Sequence, residues 1–232
     1  MTDVPMIETP SPNFDARTSP VSMLVLHYTG MRDAQSAVAW LASPESKVSA
    51  HYVVCEDGQI IRMVDEAKRA WHAGRSHWRG INDVNSASIG IEIVNPGHEW
   101  GYRPFPEAQI GALIPLMHDI VQRHGITRGN IVGHSDVAPA RKQDPGELFP
   151  WGQLARLRLA LPRPTRNLMD PLWTDSAFML ALERFGYDIA EPEAAVVAFQ
   201  RRFRPELIDG VIDGECRAIL LALLLPKPRG DE

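Results

Sequence analysis

The sequence predicts a mixed α/β fold, a central β-sheet flanked by helices, followed by a small C-terminal domain of three helices. Three observations carry this. Short apolar runs rich in strand formers recur through the first half of the chain, as in Ser22 to Thr29 and Ser88 to Asn95. Segments with helical spacing lie between them, the longest from Pro106 to Arg123. Beyond the stretch Pro162 to Arg166 the strand-like runs stop and three helical segments follow, a shift in pattern that marks a second domain. The expected division is an N-terminal arm at residues 1–20, a first domain at 21–162, a linker at 163–172 and a helical domain at 173–232.

The elements follow in order. The first twenty residues are polar, proline-bearing and without periodicity, which reads as a surface arm. The strand Ser22 to Thr29 places His27 and Thr29 at its polar end. Asp33 is suited to cap a helix through Leu41, with Ala37, Val38 and Leu41 as its apolar face. A strand ending at Cys55, the turn Asp57-Gly58 and the run from Ile60 to Val64 make a β-hairpin. In the next strand Ile89, Ile91 and Ile93 point to one side and Gly90, Glu92 and Val94 to the other, so Glu92 is a carboxylate in the middle of an apolar strand. The helix with Ile110, Leu113, Leu116, Met117 and Ile120 on one face stops at Gly125. A short strand then delivers His134, and a helix is expected from Trp151 to Leu161. The last three helices are expected at Thr174 to Phe185, Glu193 to Phe203 and Gly214 to Leu224.

Composition narrows the function classes. With 44% hydrophobic and 23% charged residues over 232 positions, the chain is globular in character. A net charge of −5 gives no general attraction to nucleic acid or anionic membrane, and the run Ala218 to Leu225 is too short to cross a bilayer, so neither partner is expected. Cys55 and Cys216 suggest two unpaired thiols. Acids and prolines stand where an export signal needs a basic start and an apolar stretch, which gives the expectation of a cytoplasmic protein.

The stretch Gly133 to Gly146 gathers His134, Lys142 and Asp144 into one polar loop. Taken alone it reads equally as a turn-rich connection. A catalytic zinc site uses three protein ligands, and His134 and Asp144 supply two of the right kind. His27, His51 and His72 are the candidates for the third, and the residues by themselves leave that choice open.

The blocks VLHYT, SAHYVV, AWHAG, SIGIEIVN and GHSDVAPARKQDPGELFPW, spread over about residues 21–161, resemble in type and order those of the zinc-dependent N-acetylmuramoyl-L-alanine amidases of the type-2 family. The resemblance implies one Zn²⁺ held by His27, His134 and Asp144, with Glu92 and Lys142 as the catalytic pair. It implies hydrolysis of the bond between the lactyl group of N-acetylmuramic acid, or its anhydro form, and L-alanine, with Glu92 moving the proton and Lys142 stabilising the oxyanion. Phage-type relatives often carry Cys as third ligand and Tyr before the second-block histidine, whereas this chain has Asp144 and Ala50, as in the branch of the bacterial recycling amidases. Its HYT and WRG stretches look closer to envelope-acting members.

The same resemblance marks Trp71 and His72 as part of a loop lining the substrate cleft, against local packing of Trp71 as the alternative. Asn95 suits a hydrogen bond to a peptide carbonyl, or a turn before Pro96. Arg75 and Arg79 suit a stem-peptide carboxylate, or plain solvation. His51 reads as a supporting residue, and Asp136 as either an orienter of His134 or a turn former. The helical segment resembles the peptidoglycan-binding helical type through VAFQRRF, IDGVIDG and AILLALL. Arg201, Arg202 and Arg204 are diluted by Glu193, Glu206, Asp209 and Asp213, which argues against nucleic acid. The expected partner is therefore peptidoglycan or a muropeptide. A wall-binding segment points to the cell envelope as the alternative location, and a non-catalytic muropeptide binder is the rival function; the filled ligand and catalytic positions weigh against that rival.

Overall fold

A computed structural model describes residues 5–166 and 168–225. Residues 1–4 of the expected arm, 167 of the expected linker and 226–232 of the expected helical domain lie outside the described residues. The chain begins with β1 (Met6–Glu8), β2 (Phe14–Ala16), β3 (Met23–Tyr28), α1 (Ala34–Ala42), β4 (Tyr52–Val54), β5 (Ile60–Arg62) and β6 (Lys68–Ala70). It continues through α2 (Val84–Ala87), β7 (Ser88–Ile93), α3 (Gly97–Trp100), α4 (Glu107–His124), β8 (Ile131–Gly133), α5 (His134–Val137) and α6 (Trp151–Arg156). Three helices close it, α7 (Asp175–Phe185), α8 (Pro192–Phe203) and α9 (Gly214–Leu224).

The main sheet has the order β1-β5-β4-β7-β3-β8, and β2 pairs with β6 in a second, two-stranded sheet. Strands β4, β7, β3 and β8 run parallel, and the hairpin partner β5 runs antiparallel to β4. The alternation along β7 decides what covers each face. Ile89, Ile91 and Ile93 join Leu24 and Leu26 of β3 in a core closed by Ile110, Leu113, Leu116, Met117 and Ile120 of α4. That helix ends at Gly125, whose φ of 63° puts it in the left-handed conformation while its N–H bonds the Val121 carbonyl. On the other face, Val94 packs with Leu41 of α1, whose start is capped by the Asp33 side chain accepting from the Ser36 N–H at 2.7 Å.

The same second face carries the C-terminal helices. Met23 and Val25 of β3 and Val132 of β8 share one buried cluster with Phe178, Tyr187, Phe199, Phe203 and Ile219. The three helices lie where their periodicity places them, but their apolar faces are completed by the sheet.

Two elements depart from expectation. Of the expected arm, residues 5–20 do more than cover the surface: β1 forms an edge of the main sheet beside β5, and Ser11 and Asn13 are buried. Strands of three residues are too short to reveal themselves by alternation. Arg17 then donates to the backbone carbonyls of Glu66, Asn85, Ser86 and Ser88, latching the segment to the start of β7. The helix read through Leu161 is helical only over Trp151–Arg156; the chain turns at Arg158, with φ 62°, and Leu159 and Ala160 enter the core. Among the described residues no helix is long and apolar enough to cross a membrane.

Candidate active site

The site lies at the carboxyl ends of three neighbouring parallel strands. Pairing of β3 with β7 sets His27 opposite Glu92, and pairing of β3 with β8 sets Leu26 opposite Gly133, so His134 emerges beside His27. His27 and Glu92 point to the face that also carries the C-terminal helices. The loop after α5 returns Asp144 to the same point, held by its carbonyl accepting from the Ser135 N–H at 2.9 Å. His27 Nδ1 lies 2.9 Å from His134 Nδ1 and 3.1 Å from Asp144 Oδ2, and His134 Nδ1 lies 3.0 Å from the same oxygen. All three residues are buried.

The chemistry of their outer partners fixes where the protons sit. The Ser88 hydroxyl donates to the Val84 carbonyl at 2.5 Å, so it accepts from His72 Nε2–H at 3.1 Å. Burial pushes the His72 imidazole well below its ordinary pKa, aided by repulsion from His27, and the neutral ring turns a bare Nδ1 to the His27 Nε2–H, 3.0 Å away. Burial likewise brings His27 down to about 4, with His134 adding to the effect, so its Nδ1 is a lone pair. On the other side, His134 Nε2–H donates to the Ala73 carbonyl at 3.1 Å, which in the neutral ring leaves Nδ1 bare as well. Burial alone would raise the Asp144 carboxyl, but positive charge on the neighbouring imidazoles, His134 foremost, holds it well below the usual carboxylate range, a part that a cation between the three groups can take over. Two ring lone pairs and a carboxylate oxygen thus converge within about the reach of one ion, a donor set that a divalent cation satisfies and that fits zinc by type and number.

Glu92 stands beside this trio. Its Oε2 is enclosed without a hydrogen-bond partner. Burial raises its carboxyl well above the ordinary value, the Asp144 charge adds to the rise, and the Lys142 ammonium opposes it. Both Glu92 and Lys142 line a cleft of about 750 Å³, together with His134, Asp144, Arg141 and the indoles of Trp40, Trp71 and Trp100.

The expected substrate contacts separate on inspection. Trp71 lines the cleft, its indole N–H bonded to Asp15. His72 also borders it, but both its ring nitrogens are engaged by His27 and Ser88, so it backs His27. A Cβ on Gly90 would overlap the His72 ring, which is why that strand position carries no side chain. His51 supports the same strand, its Nδ1 accepting from the Gly90 N–H at 2.9 Å.

Two residues do not reach the cleft. Asn95 is buried in a turn, donating to the Arg103 carbonyl and accepting from the Gly97 N–H, so its amide is already spent on the backbone. Arg79 donates to the Phe185 carbonyl and lies near the Trp78 and Phe185 rings, drawn away by the C-terminal helices. Arg75 borders a neighbouring cavity that shares Arg141. Sequence reasoning missed Ser88, although it falls on the same face of β7 as Gly90 and Glu92 and the alternation could have found it. It also missed Trp40, Trp100 and Arg141, which carry no local signal of a cleft.

Residues 17–147 match a family described as N-acetylmuramoyl-L-alanine amidase. The chain belongs to this family. It is 40% identical over 231 residues to the N-acetylmuramoyl-L-alanine amidase AmiD of Escherichia coli, covering 88% of this chain and 82% of that protein. The 1,6-anhydro-N-acetylmuramyl-L-alanine amidase AmpD of Haemophilus influenzae is 34% identical over 65% of this chain and 90% of its own. Among solved structures, E. coli AmiD in complex with the substrate anhydro-N-acetylmuramic acid-L-Ala-D-γ-Glu-L-Lys superposes with a TM-score of 0.80 at 37% identity, covering 90% of this chain and 91% of that one. AmpDh3 of Pseudomonas aeruginosa gives a TM-score of 0.80 at 35% identity, over 88% and 91%. The mixed sheet flanked by helices is the architecture of the family, and membership makes the chain an amidase.

Proposed function

We propose that the chain is a zinc-dependent N-acetylmuramoyl-L-alanine amidase that cleaves the amide between N-acetylmuramic acid, or its anhydro form, and L-alanine in peptidoglycan fragments. The observation that carries this is the convergence of two imidazole lone pairs and a carboxylate beside an unpartnered, buried carboxyl group. His27, His134 and Asp144 would hold one Zn²⁺. A zinc ion there supplies Lewis-acid polarisation and lowers the pKa of water towards about 7.

The residues of the chain do the rest. As a carboxylate Glu92 takes the proton of the attacking water, and it returns that proton to the leaving amine of L-alanine; its raised carboxyl makes it a ready donor once protonated. The Lys142 ammonium faces the oxyanion that forms on the scissile carbonyl. His72 and Ser88 keep the His27 ring turned with Nδ1 inward. Trp40, Trp71 and Trp100 give the cleft apolar faces for a sugar–peptide ligand. A fragment as substrate is supported by the anhydromuramoyl peptides bound in the AmiD and AmpDh3 structures. The helical segment, which resembles a peptidoglycan-binding type, would add affinity for the polymer.

Incubation with an anhydromuramoyl tripeptide, followed by mass analysis, tests the reading. Release of the free peptide and anhydro-N-acetylmuramic acid is expected, lost on chelation and regained with zinc. A substrate that is bound but returned uncut would make the chain a muropeptide binder instead.

A further inference from the structure

Tyr187, in the turn after α7, sends its side chain to the metal loop. Fully buried, it donates from its hydroxyl to Asp136 Oδ1 at 2.6 Å. The other oxygen, Asp136 Oδ2, accepts from the Gly133 N–H at 2.8 Å, closing the turn that leads from β8 into His134. Burial raises the Asp136 carboxyl, with Arg202 and the Tyr187 hydroxyl opposing the rise. There is little slack in that turn: a Cβ on Gly133 would stand 2.7 Å from Pro145 Cδ. Ser135, directly after His134, donates its N–H to the Asp144 carbonyl, so the same turn governs two members of the trio.

Helix α8 also grips the segments on either side of the loop. The Arg202 guanidinium stacks on the Trp151 ring at 3.0 Å from its centroid and reaches the Ile131 carbonyl of β8 at 3.4 Å. Arg201 pairs with Glu147 at 3.6 Å.

We propose that the C-terminal helices are a working part of the metal centre, and that Tyr187, acting through Asp136, is a positioning residue for His134 and Asp144. A segment that only tethered the enzyme to a polymer would have no need of a fully satisfied, buried hydroxyl–carboxylate link to the turn carrying a metal ligand. The inference rests on the zinc reading of the trio. Outer partners of metal ligands commonly govern affinity by about 10–100-fold, and a link one residue further out belongs at the lower end of that range.

The test is zinc affinity of the full-length protein, measured by competition with a fluorescent chelator. Tyr187→Phe keeps the ring packed against Trp78 and Phe185 and removes only the hydroxyl. It is expected to weaken zinc binding about tenfold with an unchanged circular dichroism spectrum, and Asp136→Asn reads the same link from its other end. Phe199→Leu, in the same helical core but without a bond to the loop, is expected to lower the melting temperature and leave zinc affinity within about twofold of wild type. Unchanged affinity in both link variants would overturn the proposal, as would an equal loss in Phe199→Leu, which would make the effect one of general stability. A wild-type chain that takes up no zinc would overturn the metal reading itself, a result separate from either.

Discussion

Replacing Glu92 by Gln should lower activity and raise stability together. The substitution keeps the shape of the side chain and removes its charge and its capacity to carry a proton. Glu92 makes no hydrogen bond to His27, His134 or Asp144, and its enclosed Oε2 has no partner, so the trio should keep its zinc. Loss of a positioned general acid–base group costs about 10²–10⁴ in rate, or about 3–5 kcal/mol of barrier.

The stability effect follows from the direction of the pKa shift. An acid whose folded pKa is raised loses stability as pH climbs through its unfolded value, because the unfolded chain gives up its proton first. At neutral pH the native Glu92 is therefore a liability, and the amide of Gln, which gives up no proton in the unfolded chain, does not share it. For a chain of this size each kcal/mol moves the melting temperature by about 2–4 °C. In chelator-treated protein at neutral pH Glu92→Gln should melt above wild type. Turnover of the anhydromuramoyl peptide, zinc content and a melting curve on one preparation make the assay. Turnover within about threefold of wild type at full zinc content would refute the role, and a lowered melting temperature would refute the account of the buried carboxyl.

Three further outcomes are expected. Lys142→Ala should reduce turnover by about 10²–10³ while leaving zinc content unchanged, read from the ratio of rate to metal. His72→Phe preserves the ring against Gly90 but removes the partner of His27 Nε2, so zinc affinity should fall by about 10–100-fold in chelator competition. Glu66 accepts from Tyr52, Arg123 and His124; burial would raise its carboxyl, but these bonds bring it down to about 2. That shift from an ordinary 4.5 corresponds to about 3 kcal/mol, present above pH about 4.5 and lost as the pH falls towards about 2. Glu66→Gln should remove this part of acid denaturation, seen as a smaller stability difference between wild type and variant at pH 2 than at pH 6.

Much of the fold is written in local pattern. The single alternation along Ser88 to Val94 assigns both faces of the sheet, and caps such as Asp33 and Gly125 mark helix ends by chemistry that needs no distant partner. Among the three histidines that compete for one place beside His134 and Asp144, the structure separates the roles. His27 presents its Nδ1 to the trio, His72 stands one bond behind it, and His51 holds the Gly90 N–H. Composition and spacing could not rank them, because the ranking depends on which ring nitrogen faces which strand. Asn95 and Arg79 show the converse. Their side chains suit a substrate, yet a backbone carbonyl at Arg103 and another at Phe185 claim them first. For Arg79 the competitor lies 106 residues away. The helical segment reads clearly as three amphipathic helices, but an apolar stripe does not say what it will face, and here it faces the sheet.

The separation of the three proposed metal ligands along the chain has a consequence for how the centre forms. His134 and Asp144 are 10 residues apart, so an unfolded chain can bring them together locally. His27 is 107 residues from His134, and closing a loop of that length costs about 4 kcal/mol in chain entropy. The pairing of β3 with β8 bears that cost, since Leu26 meets Gly133 one residue before each histidine. An ion arriving at the finished sheet meets a preassembled third ligand; an ion meeting the unfolded chain finds only a two-ligand fragment. Full zinc affinity thereby becomes a reporter of whether the first and last parallel strands of the sheet have found one another.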